Sequence, residues 1–328
     1  MWRNFSILFF YLAFLLFFIA CKPVSYQQVK LKNITPVDAI RLDQAILHQD
    51  FNQLIDHFGT DFEAYLTQIT PFESLEEAQV NWHLFVKDSL FQLIQKEINS
   101  IYPTLTQENK QLAEAFAYLQ HYFPMLKIPK IYAVNSGFNY GSHWEDDVLW
   151  LGLDVYLGKK NPATLQSNYP LYLRNVMEAN YLVPDAITHF IFNIFYPQAQ
   201  STDEGHFAET IIYFGKMMYL LDCALPYLED HLKMKYTTEQ WLWATEQEKI
   251  IWEHILHNNL LYSNEGRRIH SWIQLAPFTS ELGNESPDRL GIFIGWKIVR
   301  TYMQANLNVQ PSELLTKRYQ DILPYYQP

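Results

Sequence analysis

Glycine is scarce in this chain, with 11 in 328 residues, and no Gly/Ser-rich or Pro-rich linker interrupts it. With 49% hydrophobic residues, that scarcity excludes a low-complexity or disordered chain and leaves no compositional break between domains. Basic clusters are missing too. Lys and Arg number 24 against 35 Asp and Glu, a formal charge of −11. Phosphate backbones are held by clustered cations, so this balance argues against nucleic acid as a partner. It gives no support to electrostatic binding of anionic lipid headgroups either. No internal repeat shows at periods of 20 to 50 residues. GxSxG, P-loop, GxGxxG and CxxC motifs are all absent, so no complete set for nucleophilic, phosphate or redox chemistry is present. What the chain does have is rings: 22 Tyr, 22 Phe and 9 Trp, enough for a large aromatic core.

Cysteine occurs twice, at Cys21 and Cys223. The chain opens MWRN, with Arg3 its one charged side chain, then runs FSILFFYLAFLLFFI before A-C-K-P. A short positive stretch, an apolar stretch and a small residue before the break are signal-peptide anatomy. FIAC resembles the bacterial lipobox. Residues 1–20 therefore read as a lipoprotein signal peptide and Cys21 as the lipidated first residue of the mature chain. The alternative is an uncleaved signal anchor, since residues 5–20 nearly reach the length of a membrane span. Lipid on Cys21 leaves Cys223 without a disulfide partner. Within MMYLLDCALPYL, Cys223 reads as a small buried hydrophobe rather than a reactive thiol.

Residues 21–33 are polar and aperiodic and read as a tether, and residues 34–328 as a single α-rich globular domain. Apolar positions recur at helical spacing over 36–57, 74–101 and 106–122. Period-two alternation in KIYAVNS, the turn-like NYGSHWEDD and the β-branched, aromatic DVLWLGLDVYL predict two or three antiparallel strands over about 128–157. Helical spacing returns over 170–181, 184–196, 202–230, 238–260, 286–306 and 311–322. The fold class is mainly α (α+β), one helical domain with a small antiparallel sheet. Its order is open to a zincin-like arrangement.

Chemistry is sought first in DAITHFIFNIFYP, residues 185–197. On a helix, Asp185, Thr188, His189, Asn193 and Tyr196 form one polar stripe, and the remaining surface is apolar. His189 and Asn193 stand where a zinc peptidase carries the two histidines of HExxH, with Phe190 in place of the glutamate. Phenylalanine cannot take a proton from metal-bound water, and asparagine is a poor zinc ligand, so catalysis by that route is not expected. The stripe then either hydrogen-bonds within the core, the preferred reading, or lines a pocket. Candidate pocket residues are Asp185, His189, Asn193, Glu204, Glu209 and Lys216. Ser201 with Glu204 also makes a capping box. Lys216, inside FGKMMY, needs a partner, expected to be Asp185, Glu209 or Asp222. His254 and His257 in WEHILH read as solvated or partly buried histidines, and the carboxylates beside His143 in HWEDD as a solvated loop, rather than as metal sites. In SPDRLGIFIGWKIVRTYM, Ser286 reads as an N-cap. Gly291 and Gly295, four apart, leave a groove for the close approach of another helix or strand.

The strings LGLDVYLG, FGKMMYLLDCALP, YTTEQWLWATEQEKIIW, LLYS, APFTSELGNESPDRLGIFIGWKIVRTYM and ILPYYQP, with the early AIRLDQAIL, resemble the gliding-motility lipoprotein GldB family over nearly the whole mature chain. The resemblance implies a cell-envelope protein that supports gliding, facing the periplasm and held to a membrane by lipid on Cys21. Its implied partners are envelope proteins of the gliding and secretion machinery. With no catalytic set in view, the expectation is a non-enzyme without cofactor or metal, acting through protein contacts. Two alternatives stand beside it. One is a residual zinc metallohydrolase using His189, Glu204 and Glu209. The other is a pocket for a peptide or small molecule along the Asp185–Tyr196 stripe. The order of a small sheet before the helix is also similar to predicted zinc-dependent peptidases, which carry HExxH on a helix after such a sheet.

Overall fold

Side-chain caps cut the long helical patterns of the N-terminal third into shorter pieces. Asp50 accepts from the Gln53 N–H while the Gln53 side chain accepts from the Asp50 N–H, a reciprocal box that starts a new helix. Asp88 does the same work further on, accepting from the N–H groups of Leu90 and Phe91. The computed structural model describes residues 29–31, 33–199 and 205–328, apart from the side chains of 196–199. Cys21, the signal-peptide reading, Ser201 and Glu204 lie outside the described residues, as does the side chain of Tyr196.

The helices of six residues or more are α1 (Leu42–His48), α2 (Phe51–Phe58), α3 (Leu75–Phe85), α4 (Ser89–Ile101), α5 (Thr106–Tyr122) and α6 (Leu182–Ala199). They continue with α7 (Phe207–Ala224), α8 (Thr238–Glu246), α9 (Glu248–His257), α10 (Gly266–Ile273), α11 (Leu290–Ala305) and α12 (Pro311–Thr316). The fold is mainly α with a small sheet, and Leu31 to Pro328 cluster as one unit. The helix expected over 170–181 does not form. Leu171–Arg174 and the 3-10 turn Ala179–Tyr181 are what remains of it. Nor does Ser286 cap a helix. Its hydroxyl donates to the Gly283 carbonyl, and α11 begins at Leu290 after Arg289 in the left-handed region.

The sheet departs from the antiparallel one expected. Strands β1 (Ile40–Arg41), β2 (Lys130–Val134), β3 (Ser142–Glu145) and β4 (Val148–Gly152) lie in the order β1-β2-β4-β3. The β1–β2 and β2–β4 pairs are parallel, and β3–β4 alone is antiparallel. The reason is the segment between β2 and β3, which crosses the C-terminal end of β4 instead of turning back beside β2. A Cβ on Gly152, the last residue of β4, would sit 1.8 Å from the Tyr140 carbonyl oxygen, so only glycine admits the crossing. Asp154 then pins the crossing chain. Buried completely, it accepts from the Ser136 N–H at 2.8 Å, the Ser136 hydroxyl at 2.9 Å and the Phe138 N–H.

Alternation along the strands divides the interior. Ile131, Ala133, Leu149 and Leu151 point into the larger core with α5, α6, α7 and α11. Tyr132, Val134, Val148 and Trp150 point the other way, into a smaller aromatic core with α1 to α3. Because both faces are covered, β4 is buried along its whole length.

The larger core is built around α7 against α11, and their contact is governed by two glycines. A Cβ on Gly295 would lie 1.7 Å from the Ile211 carbonyl oxygen, and one on Gly215 would lie 2.2 Å from the Gly295 carbonyl oxygen. The groove expected at Gly295 is therefore filled by the backbone of α7. Beside it, the fully buried Asp222 accepts from Lys233 Nζ at 2.8 Å, Trp296 Nε1 at 2.7 Å and the Arg300 guanidinium at 2.7 and 2.8 Å. Burial alone would raise that carboxyl, but the charges of Arg300 and Lys233 outweigh it and hold its pKa at about 2.

Gly295→Ala is expected to destabilise the fold by about 3 kcal/mol, the upper end of ordinary overpacking, because the obstacle is backbone rather than a movable side chain. Calorimetry of the two proteins measures it. Asp222 contributes to the acid limit of stability, as does Glu281, whose bonds to Arg268 also hold it at about 2. The folded-state value of Asp222 lies below the ordinary 3.8, so its contribution is present above pH 3.8 and is lost as pH falls towards 2. Denaturant titrations at successive pH values should show this loss, and Asp222→Asn should reduce it while costing about 3–5 kcal/mol at neutral pH through the charges left unpaired.

Candidate functional site

The polar stripe of α6 sits where the helix passes under β3. Pro184 falls in the first turn, where its missing N–H costs no helical bond. The rest of the helix is fixed by its apolar side: Ala186, Ile187, Phe190 and Ile191 are fully buried. With that face committed, Asp185, Thr188, His189 and Asn193 must turn towards β3 and the segment after β4. Thr188 donates to the Pro184 carbonyl at 2.7 Å, and Asn193 donates to the His189 carbonyl at 2.9 Å. These bonds within the helix satisfy part of each side chain without closing the stripe off.

The stripe does not pack as core. Asp185, His189 and Asn193 line an open cavity of about 470 Å³. Val155, Leu173, Val176, Met177, Phe192 and Leu275 supply apolar wall, and Gly141 and Ser142 supply the rim on the β3 side. The preference for a core stripe is corrected by this placement. Helix periodicity shows which residues share a face, but what that face meets depends on the chain crossing over β4. His189 Nδ1 lies 3.1 Å from the Ser142 hydroxyl, and Nε2 has no hydrogen-bond partner among the described residues. Burial first, then the nearby His143, pushes the His189 imidazole below its usual 6.5, and Asp185 opposes this only in part. At neutral pH the cavity therefore presents an uncharged ring. Asp185 is held by the Tyr156 hydroxyl at 2.5 Å and by Lys235 Nζ. Burial and Asp185 raise the Tyr156 phenol well above its ordinary value, so it stays a donor.

The remaining candidates are elsewhere. Glu209 Oε2 accepts from the Gly205 N–H at 2.9 Å. Lys216 forms no hydrogen-bonded ion pair with the three carboxylates expected of it, although the charge of Glu209 acts on it from nearby. Its ammonium donates to the carbonyls of Leu315 at 3.1 Å and Lys317 at 2.5 Å, at the C-terminal end of α12. A helix C-terminus concentrates free carbonyls and partial negative charge, which here substitutes for a counter-ion. Burial drops the Lys216 pKa to about 8, against the opposing pull of the Glu209 charge. Asp222, one of its expected partners, is occupied by Lys233 and Arg300. Residue patterns missed Ser142, Tyr156 and Lys235, which stand 47, 29 and 50 residues from their partners on α6. One signal was readable: Gly141, among so few glycines, where a Cβ would press on the Tyr156 hydroxyl at 2.5 Å.

A residual zinc site would need three or four converging ligands. Among the described residues no three His, Cys, Asp or Glu side chains come together as a metal site. Nor do the described candidates fit one. Glu209 is tied to its own turn away from the cavity.

A second cavity of about 580 Å³ lies at the other end of β3, lined by Met125, Trp144, Asp146, Asp147 and Ile194 among others. Between the two cavities β3 is an edge strand. The Gly141 carbonyl accepts from the Gly152 N–H, so the register places hydrogen-bonded pairs at Gly141–Gly152, His143–Trp150 and Glu145–Val148. Ser142 and Trp144 thus aim their backbone N–H and C=O away from β4. Asp146 and Asp147, both with positive φ, make the two-residue turn that closes this hairpin.

Fold and cleft together describe an α+β protein with two cavities strung along one sheet edge above a mostly apolar helix. Residues 25–328 match the model of a family described as gliding motility protein GldB, and the chain belongs to that family. It is accordingly a gliding-motility-related protein. Neither a curated protein nor a solved structure matches the chain.

His189 should titrate below 6.5 in histidine-resolved NMR. Its depressed folded-state value also means that its contribution to stability is complete above pH 6.5 and declines as pH falls below it. His189→Gln should flatten that part of the pH–stability profile.

Proposed function

We propose that the chain is a lipid-anchored envelope protein, attached through Cys21 and facing the periplasm, that supports gliding through protein contacts rather than catalysis. The observation that carries the non-catalytic part is Phe190. In HFIFN it takes the place of the acid–base residue, is fully buried, and packs edge-on against Phe116 and Trp144 with ring centroids 5.1 and 5.4 Å away. A carboxylate there would be desolvated rather than aimed at bound water. Asn193, at the place of the second ligand, donates to its own helix. The anchor part is supported by FIAC and by membership of the gliding-motility family. No described helix is long and apolar enough to cross a membrane, and an acylated Cys21 would hold the domain without one. The partners implied are envelope proteins of the gliding and secretion machinery.

Two measurements test this. Cys21→Ser should abolish radiolabelled fatty-acid incorporation and globomycin-sensitive processing; normal maturation of that variant would refute the anchor. The full-length chain in detergent, assayed by atomic emission, should hold no stoichiometric zinc; one zinc per chain that disappears in His189→Ala would replace this reading with a metallohydrolase.

A further inference from the structure

We propose that an extended segment of a partner protein adds to the outer edge of β3 as a further strand, with a large apolar side chain in the cavity beside His189 and basic residues towards the Asp146–Asp147 turn. The proposal rests on reading the cleft as a site of protein contact and names the chemistry of what fills it. Three features of the geometry choose that occupant.

First, the edge is open and chemically specific. Ser142 and Trp144 present N–H and C=O groups outward at strand spacing, and no backbone bond joins them to another segment among the described residues. Exposed strand edges are usually blunted, because such a row pairs with any extended chain that reaches it. A helix cannot satisfy that row, since its own backbone groups are already paired; an extended chain can.

Second, the two cavities stand at opposite ends of the same four-residue strand, and α6 contributes to both, through His189 and Asn193 in one and Ile194 in the other. A strand laid on β3 points alternate side chains towards α6. A bulky side chain near Ser142 therefore enters the cavity of about 470 Å³, whose wall is mainly apolar and whose histidine is kept uncharged by burial.

Third, charge sets the direction of preference. The cavity at that end is lined by Asp61, Asp146 and Asp147 against Lys127 and Lys130. Lys130 is paired with Asp61, while Asp146 and Asp147, exposed at the turn, form no ion pair among the described residues, so carboxylates stay in excess. A partner carrying Lys or Arg there gains attraction. A second copy of this chain brings its own acidic turn and a formal charge of −11, and is disfavoured.

The test is a display library of random octapeptides panned against the full-length chain in detergent micelles, followed by synthesis of a selected peptide. Enriched peptides should pair Phe, Tyr, Leu or Met with Lys or Arg two to four positions away. N-methylation of alternate amides should weaken binding at least tenfold, while methylation of the intervening amides changes it less than twofold. That pattern is the signature of strand pairing and leaves the protein untouched. Asn193→Trp, placed at an exposed position on the cavity mouth, should weaken binding at least tenfold. Asp146→Asn with Asp147→Asn should remove the preference for basic residues. No enrichment, binding indifferent to methylation or to Asn193→Trp, or a benzophenone on the peptide that crosslinks only outside the β3–α6 cleft would overturn the proposal. So would self-association that the peptide does not disperse. Mass spectrometry of the bound peptide separates this from the functional reading: zinc-dependent cleavage would defeat the non-catalytic account and leave strand addition standing.

Discussion

The arrangement of the sheet depends on Asp154. Fully buried just after β4, it gathers two N–H donors and one hydroxyl from residues 136–138 and so fixes the chain where it crosses the end of β4. Gly137 and Phe138 take positive φ inside that crossing, a conformation that the three bonds compensate. Burial pushes the carboxyl up to about 6 against the pull of its donors, the mark of a side chain kept inside for its geometry. The chain it holds leads into Gly141 and Ser142, which form the rim of the cavity over α6.

A second constraint makes the floor of that cavity rigid. α7 and α11 approach until the backbone of one touches the glycines of the other, and Asp222 ties Lys233, Trp296 and Arg300 into the same core. Arg300 also stacks on Trp296, 3.7 Å from its ring centre, and pairs with Asp230. α6 packs along α7, so its apolar side is clamped and its polar stripe has one direction in which to face. The polar stripe of α6 thereby becomes the lining of a cleft. Phe190 is the ring that locks α6 beneath Trp144.

Much of this was legible in the residues. The mainly α class follows from apolar spacing, and the family from strings that lie mostly in α7, α8, α9 and α11. The close approach at Gly295 was readable because two glycines four apart have little other use inside an apolar helix. Strand positions near 128–157 were also readable, since KIYAVNS alternates cleanly. Their pairing was not. An antiparallel meander is the default for strands joined by short turns, and the departure from it rests on a glycine and an aspartate outside the strand cores. The Lys216 partner failed for a related reason: sequence suggests carboxylates as counter-ions, whereas a helix C-terminus from a hundred residues away supplies bare carbonyls.

What the sequence determined by itself is local and subtractive. Spacing along α6 put Asp185, His189 and Asn193 on one face, and HFIFN lacks the glutamate and second histidine of an HExxH motif. Tertiary structure decided what that face meets: Ser142, Tyr156 and Lys235 come to it from distant segments, and β3, an edge strand among the described residues, stands beside it. The division is physical. Periodicity is fixed by the backbone of one helix, whereas a cavity is the space left between elements, and its shape depends on every contact that holds them apart.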